Sequence, residues 1–378
     1  MPQHPMQIVI GAPATGSNFF PRAEISQKLQ RALQVEHVLF LAPRRTGKTS
    51  VLLDLQRNAP ERTVFLDLEG FDHPDAWIDA MIDGLSRIKD ERWLQKLKQF
   101  GDFLPRLKSE YVAIAAADWH AKGQGLMNAL QQLDEPVWFL LDEFPIMIDH
   151  IAKTHGVALA ESALHWIRRL RQQHPESRVR FLLTGSIGLD SVLRRHGIRG
   201  VANDLRRESL TPLSPEAALS FSLQLARDNQ IVLSEALAQD YLQRLGPGLW
   251  PFFIQLFIAE LQDTDPPPAT IADIDRIYLT IARNKRNQYA ANMWDRLGDI
   301  FNTAELAAAR DMLKKVAAQP AGIASPQLRA QLHQLEADDF DYVLDVLQHD
   351  GYLTETGDGS LCFFSHLLRD FWLYKGRL

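Results

Sequence analysis

Between His37 and Leu53 the chain reads His-Val-Leu-Phe-Leu-Ala-Pro-Arg-Arg-Thr-Gly-Lys-Thr-Ser-Val-Leu-Leu. An apolar run breaks at Ala42-Pro43, passes a short polar turn and restarts as a helical pattern after Gly47-Lys48-Thr49. A strand, a loop ending in Gly-Lys-Thr and a helix make a cradle for phosphate, because backbone N–H groups of the loop and helix N-terminus converge on one anion. The cradle is expected to comprise Pro43, Arg44, Arg45, Thr46, Gly47, Lys48, Thr49 and Ser50. In it the Lys48 ammonium reaches the β- and γ-phosphate oxygens, and the Thr49 hydroxyl ligates Mg²⁺. The pattern G-x-x-x-x-G-K-[ST] has Ala42 where its first glycine belongs. A plain turn into a helix is the alternative reading.

A second constellation follows roughly ninety residues later. Val137-Trp-Phe-Leu-Leu141 is a continuous apolar strand that ends in Asp142-Glu143. An acid at such a strand end holds the Mg²⁺ shell, and a following Glu polarises the attacking water. Asp142 is therefore the expected metal residue and Glu143 the expected base. The strand Val179-Arg-Phe-Leu-Leu183 exits through Thr184-Gly-Ser186. A hydroxyl there can contact a γ-phosphate or the lytic water; Ser186 is the first choice and Thr184 the second. Arg194-Arg195 and Arg206-Arg207 are candidates for a γ-phosphate contact in cis or in trans, although loop arginines are usually just solvated.

These groups need strands and helices to hold them. Strand patterns near 38–41, 63–68, 137–141, 179–183 and 208–210 alternate with helical patterns. This predicts an α/β fold, a parallel sheet with helices on both faces and ligand at the C-terminal strand ends. Gly11-Ala-Pro-Ala-Thr-Gly16 lacks a Lys-Thr and reads as a turn. Residues 74–135 read as mostly helical, broken at Gly101, Pro105 and Gly123-Gln-Gly125, with Trp77, Trp93 and Trp119 in the core. After Thr211-Pro-Leu-Ser-Pro215 the strands stop and helical patterns cover 215–229, 234–245 and 251–262. A Pro-rich linker at 263–269 precedes a longer helical pattern over 271–297. The tail reads as three helices (303–318, 325–335, 338–349), a hairpin and a closing helix, the order of a winged helix. Three domains are expected: 1–212 as a phosphate-binding core, 213–298 as a helical lid, and 299–378 as the winged helix.

Composition bounds the rest. The chain has 378 residues, 46% hydrophobic and 23% charged, with a net charge of −6. That is ordinary for a globular protein and lacks the basic excess of one built chiefly to hold nucleic acid. Cys362 is the only cysteine, which fits a reducing, cytoplasmic setting, and no apolar run approaches ~18 residues, so no membrane span is expected. The third helix of the expected winged helix and its flanks carry Glu336, Asp338, Asp339, Asp341, Asp345 and Asp350 without a Lys or Arg among them. Residues 301–378 hold eleven acids against seven Lys/Arg, a net −4. Phosphate contacts need cations, so DNA is disfavoured here and a protein partner favoured. Arg283, Lys285 and Arg286 are the one cluster that could touch a nucleic-acid backbone, though a solvated helix face is the plainer reading.

Pro43-Arg-Arg-Thr-Gly-Lys-Thr-Ser50, Leu141-Asp-Glu-Phe144, Leu183-Thr-Gly-Ser-Ile187, Leu213-Ser-Pro-Glu216 and His366-Leu-Leu-Arg-Asp-Phe-Trp372 occur in this order. Together they resemble the archaeal-type ATPase family, of the STAND branch of P-loop NTPases, close to the AAA+ and origin-recognition ATPases. The resemblance implies ATP and Mg²⁺ as cofactors, slow hydrolysis to ADP and a nucleotide-controlled switch, with a nucleotide-dependent oligomer possible. It also places Arg22, in Phe20-Pro21-Arg22, near the adenine, and sets Pro251 where related proteins carry a base-touching proline. Two other readings stay open: a DNA-associated regulator of the origin-recognition type, and a scaffold that binds nucleotide without turnover.

Overall fold

The structure, a computed structural model, describes residues 4–59, 62–88, 90, 93, 119–133, 136–173, 177–283 and 288–375. Gly101, Pro105, Lys285 and Arg286 lie outside the described residues. The contacts divide the chain into two compact units. One comprises Arg22–Leu41 and Lys48–Leu210; the other comprises Met1–Pro21, Ala42–Gly47 and Thr211–Leu378.

The first unit is built on five parallel strands: β1 (Val38–Leu41), β2 (Arg62–Asp67), β3 (Val137–Asp142), β4 (Val179–Gly185) and β5 (Arg206–Ser209). Their order in the sheet is β2-β3-β4-β1-β5. Strand β4 therefore lies between the strand that leads into Gly47-Lys48-Thr49 and the strand that ends in Asp142. Its helices are α1 (Ala23–Leu33), α2 (Lys48–Asn58), α3 (Pro74–Ser86), α4 (Trp119–Leu133), α5 (Phe144–His155), α6 (Val157–Gln173) and α7 (Leu189–Arg195). Every residue of β3 is buried. A strand covered on both faces needs an apolar run rather than an alternation, and Val137 to Leu141 supplies it.

One face of this sheet packs against α3 to α6. Leu39, Phe139, Leu141, Phe181 and Leu183 meet Trp77, Phe144 and Trp166 in a single core. The Trp77 ring stands edge-on to Phe144 at 5.7 Å and to Trp166 at 5.2 Å. Trp77, Trp93 and Trp119 are all buried, as the sequence suggests, and the Trp93 indole donates to the Leu85 carbonyl at 3.0 Å. Gly123 and Gly125, however, do not break a helix: both lie inside α4. Position 123 packs so tightly on the Trp166 ring that a Cβ would come within 2.6 Å of it. Contact with an aromatic ring, not a turn, accounts for that glycine.

The second unit holds α8 (Pro215–Asp228), α9 (Glu235–Leu245), α10 (Pro251–Gln262), α11 (Ile271–Arg283) and α12 (Gln288–Ile300). After them come α13 (Thr303–Ala317), β6 (Ile323–Ala324), α14 (Ser325–Gln331), α15 (Ala337–His349), β7 (Leu353–Glu355), β8 (Ser360–Phe363) and α16 (His366–Lys375). Strands β7 and β8 form the expected hairpin, and β6 adds a third strand on the other side of β8. The N-terminal stretch is strapped to this unit. The Met6 N–H donates to Asp228 at 2.9 Å, and the Val9 N–H donates to Gln255 at 2.6 Å.

The His366–Trp372 motif is accounted for by packing. Tyr278 on α11 donates its hydroxyl to Asp370 at 2.8 Å, and Arg369 donates to the other oxygen of the same carboxylate at 2.9 Å. Trp372 packs on Trp294 at 4.5 Å, and Trp250 stacks on Phe364 at 5.1 Å. On α15 and its N-cap, Glu336, Asp338, Asp339, Asp341 and Asp345 are exposed. Asp350 differs: it is buried, with a carboxylate oxygen 3.5 Å from Arg296, and does not belong to the acidic surface.

Candidate functional site

Within the first unit the start of α2 and the C-terminal ends of β3 and β4 converge. The loop after β1 has two left-handed backbone positions, Arg45 at φ 61° and Gly47 at φ 97°. The Thr46 hydroxyl donates to the Pro43 carbonyl at 2.7 Å and closes the turn. Gly47 suits its conformation because it has no Cβ, and the space a Cβ would enter is empty to 4 Å. Ala42 is not among the left-handed residues, so the missing first glycine carries no backbone penalty. Arg45 sets its guanidinium over the Phe252 ring at 4.9 Å, and Arg44 is exposed.

Helix α2 opens on Lys48, with Lys48 and Ser50 buried. The Thr49 hydroxyl donates to an Asp142 carboxylate oxygen at 2.6 Å, and the Glu143 N–H donates to the other oxygen at 3.1 Å. Burial pushes the Asp142 carboxyl up to about 6, reinforced by the neighbouring Glu143 charge and opposed by the Thr49 hydrogen bond and the Lys48 ammonium. A desolvated carboxylate beside a hydroxyl is a hard oxygen donor pair. Magnesium takes one or two such protein ligands together with water and phosphate oxygens, so this donor set fits it. Among the described residues no group of three or more His, Cys, Asp or Glu side chains could hold a metal by itself.

Glu143 is the N-cap of α5 and is left-handed, with φ 53° and ψ 31°. One of its carboxylate oxygens, Oε2, accepts both the Ser186 N–H at 2.8 Å and the Ser186 hydroxyl at 2.9 Å. The hydroxyl expected to face a phosphate is thus engaged with the expected base. Thr184 is different. It is fully buried, and its hydroxyl has no hydrogen-bond partner among the described residues. Residues 139 and 141 of β3 and 181 and 183 of β4 face the aromatic core, so by strand alternation Asp142 and Thr184 face the opposite side. Leu141 pairs with Leu183, and one step further sets Asp142 beside Thr184. On the other flank Thr184 pairs with Phe40 of β1.

Gly185 explains the middle of Thr184-Gly-Ser186. A Cβ there would come within 2.5 Å of Pro145, the second residue of α5.

Arg206, Arg207 and Arg195 stand beside carboxylates. Arg206 pairs with Glu36 at 3.0 Å and Glu208 at 2.9 Å. Arg207 makes a bidentate pair with Asp190 at 2.6 and 3.0 Å. Arg195 lies 3.5 Å from Asp149, and Arg194 is exposed. Arg22 is the half-buried N-cap of α1, and burial lowers its pKa from the ordinary value. Pro251 is the first residue of α10 and half-buried. The sequence reading passes over Asp67, which stands in register with Asp142 at the end of β2; its carboxylate is turned back onto the Glu69 N–H at 3.1 Å.

A phosphate-loop strand separated by one strand from the strand bearing the acid defines a P-loop ATPase fold. The chain is similar in structure to a Walker-type ATPase of Pyrococcus abyssi, with TM-score 0.64, 15% identity, and coverage of 97% of this chain and 100% of that one. It is also similar to the ORC2 protein of Aeropyrum pernix in ADPNP–ADP complexes, with TM-score 0.52, 12% identity, and coverage of 96% and 98%. The fold is accordingly that of archaeal Walker-type and origin-recognition-like P-loop ATPases, in agreement with the resemblance read from the motifs. No protein-family model and no curated protein matches the chain. Among the described residues no helix is long and apolar enough to cross a membrane.

Proposed function

We propose that the protein is an ATP-binding and slowly hydrolysing switch of the archaeal-type, STAND-related ATPases, dependent on Mg²⁺. The observation that carries this reading is the Thr49–Asp142 hydrogen bond at 2.6 Å, made between the N-terminus of α2 and the end of β3. Lys48, Gly47 and the backbone of Arg44 to Thr46 hold the phosphates; Thr49 and Asp142 hold the metal and its water shell. Bound Mg²⁺ neutralises charge on the phosphate oxygens. Glu143 accepts the proton of the attacking water. The γ-phosphate-facing hydroxyl is Thr184, because the Ser186 hydroxyl is already given to Glu143. Arg22 and Pro251 remain the base-side residues that the family resemblance suggests. The C-terminal helices take a protein partner with a basic face, which the exposed Asp338, Asp339, Asp341 and Asp345 favour over DNA.

Lys48→Ala tests the cradle. Losing a charge-assisted contact to phosphate lowers ATP affinity by about 10- to 100-fold, measured by calorimetry with Mg²⁺ present. Undiminished affinity removes the phosphate cradle from the reading.

Thr184→Val tests the hydroxyl in two directions at once. Valine keeps the shape and removes a buried hydroxyl that lacks a partner, which raises stability by about 1 kcal/mol. Hydrolysis falls, on the order of tenfold for one lost hydrogen bond in the transition state. A rise in Tm with unchanged turnover leaves Thr184 a strand residue and no more.

A further inference from the structure

The two hydrogen bonds between Ser186 and Glu143 are made to one oxygen. Both the N–H, at 2.8 Å, and the hydroxyl, at 2.9 Å, end on Oε2. A carboxylate oxygen accepts two bonds readily, and the other oxygen then keeps its lone pairs for a different proton. The glutamate side chain otherwise has several freely rotating bonds, and each arrangement in which it misses the water is unproductive.

Both partners are held from behind. Glu143 is fixed in its left-handed conformation by its N–H to Asp142 at 3.1 Å, and its carbonyl accepts from Ile146 at 3.1 Å and Met147 at 3.2 Å. Ser186 follows Gly185, which lies against Pro145 so closely that no Cβ fits. Pro145 stands two residues after Glu143 in the same helix. The acid and its donor are therefore coupled through a second, apolar contact, and Ser186 is 2% exposed. A backbone N–H alone would tie Glu143 to the end of β4. The added hydroxyl selects one oxygen twice, and so sets the rotation of the carboxylate as well as its place.

We propose that Ser186 is a positioning residue for Glu143: its N–H and hydroxyl hold Oε2 so that Oε1 is presented to the proton of the attacking water. The inference rests on the reading of Glu143 as the base. It moves Ser186 from a contact with nucleotide to a contact with the residue that acts on water.

The test is ATP hydrolysis by the full chain in steady state and single turnover, with Mg²⁺, for Ser186→Ala, Ser186→Thr, Glu143→Gln and the double variant Glu143→Gln/Ser186→Ala. Ser186→Ala is expected to lower kcat on the order of tenfold with KM and ATP affinity unchanged. Ser186→Thr, which restores a hydroxyl, recovers most of that loss. In the Glu143→Gln background Ser186→Ala causes no further drop, because a positioning residue has nothing left to position. A kcat for Ser186→Ala equal to or above wild type overturns the inference, and so does a loss that multiplies with that of Glu143→Gln. Weakened ATP affinity in Ser186→Ala at constant kcat returns the hydroxyl to the nucleotide. A wild-type chain that does not hydrolyse ATP overturns the ATPase reading and this inference together, whereas turnover indifferent to Ser186 overturns this inference alone.

Discussion

Glu143→Gln is expected to reduce ATP turnover by about 10²- to 10⁴-fold, the usual contribution of a general base, while leaving ATP affinity within a factor of about two or three of wild type. Gln has the length of Glu and keeps a carbonyl oxygen that can accept both Ser186 donors, which hold Oε2 at 2.8 and 2.9 Å in the wild type. The backbone of residue 143 keeps its N–H to Asp142. What is lost is the capacity to take a proton. The variant should consequently fold with an unchanged Tm and trap bound ATP. Burst and steady-state rates with calorimetric affinity form the check. Turnover equal to wild type would assign the base elsewhere, with Asp67, in register with Asp142 at the end of β2, the first residue to examine.

Much of this site is legible in sequence because its parts are local. The loop proposed as the cradle is coded within eight residues, and the acid proposed for the metal stands at the abrupt end of an apolar strand. What sequence does not supply is register. Whether Thr184 lies beside Asp142, on the side away from the aromatic core, depends on how β4 pairs with β3. A shift of one residue in pairing sends every side chain to the other face. The pairing Leu141 to Leu183 decides it, and that is a property of two strands brought together from forty residues apart.

Ala42 shows the converse. The motif flags a departure there, yet the loop takes its left-handed turns at Arg45 and Gly47. Nothing in an arginine announces a positive φ. Helix α5 is also passed over in sequence. It follows β3 with only Glu143 between them, and Met147, Ile148 and Ile151 are buried with Phe144 and Ala152 around much of its circumference. An amphipathic period is therefore faint, although Pro145 in its first turn is a start signal. The two-residue strand β6 has no sequence signal at all, since its pairing with β8 defines it. The Gly123 break fails for a third reason. The rule that glycine interrupts helices describes an average surface, and at that position the neighbour is a tryptophan ring.

Asp142→Asn is expected to separate stability from function in opposite directions. The folded-state carboxyl lies at about 6 against an ordinary 3.8, chiefly because it is buried. Its folded pKa lies above the unfolded one, so folding takes up a proton between these values. The contribution of this carboxyl to the stability of the metal-free protein therefore falls as pH rises from about 4 to about 6, and the penalty is complete above that. At 1.36 kcal/mol per unit, the contribution amounts to about 3 kcal/mol at neutral pH. Asn removes the charge but retains an acceptor for Thr49, now 2.6 Å from the carboxylate. Its metal-free Tm at pH 7 should rise, and the gap from wild type should close toward pH 4. Glu260, also raised by burial, contributes the same sign in wild type and variant alike, whereas Asp149, Asp204 and Glu208, held below their ordinary values by cationic partners, contribute the opposite sign. The difference between the two proteins, not the wild-type slope, is thus the quantity to read from thermal melts across this range. Hydrolysis should fall at least about 100-fold, since the metal shell loses its anionic oxygen. A variant no more stable than wild type at pH 7, or a gap independent of pH, would show that Asp142 is not held against its solvation. In the proposed reading, a divalent cation beside Asp142 offsets that cost when it binds.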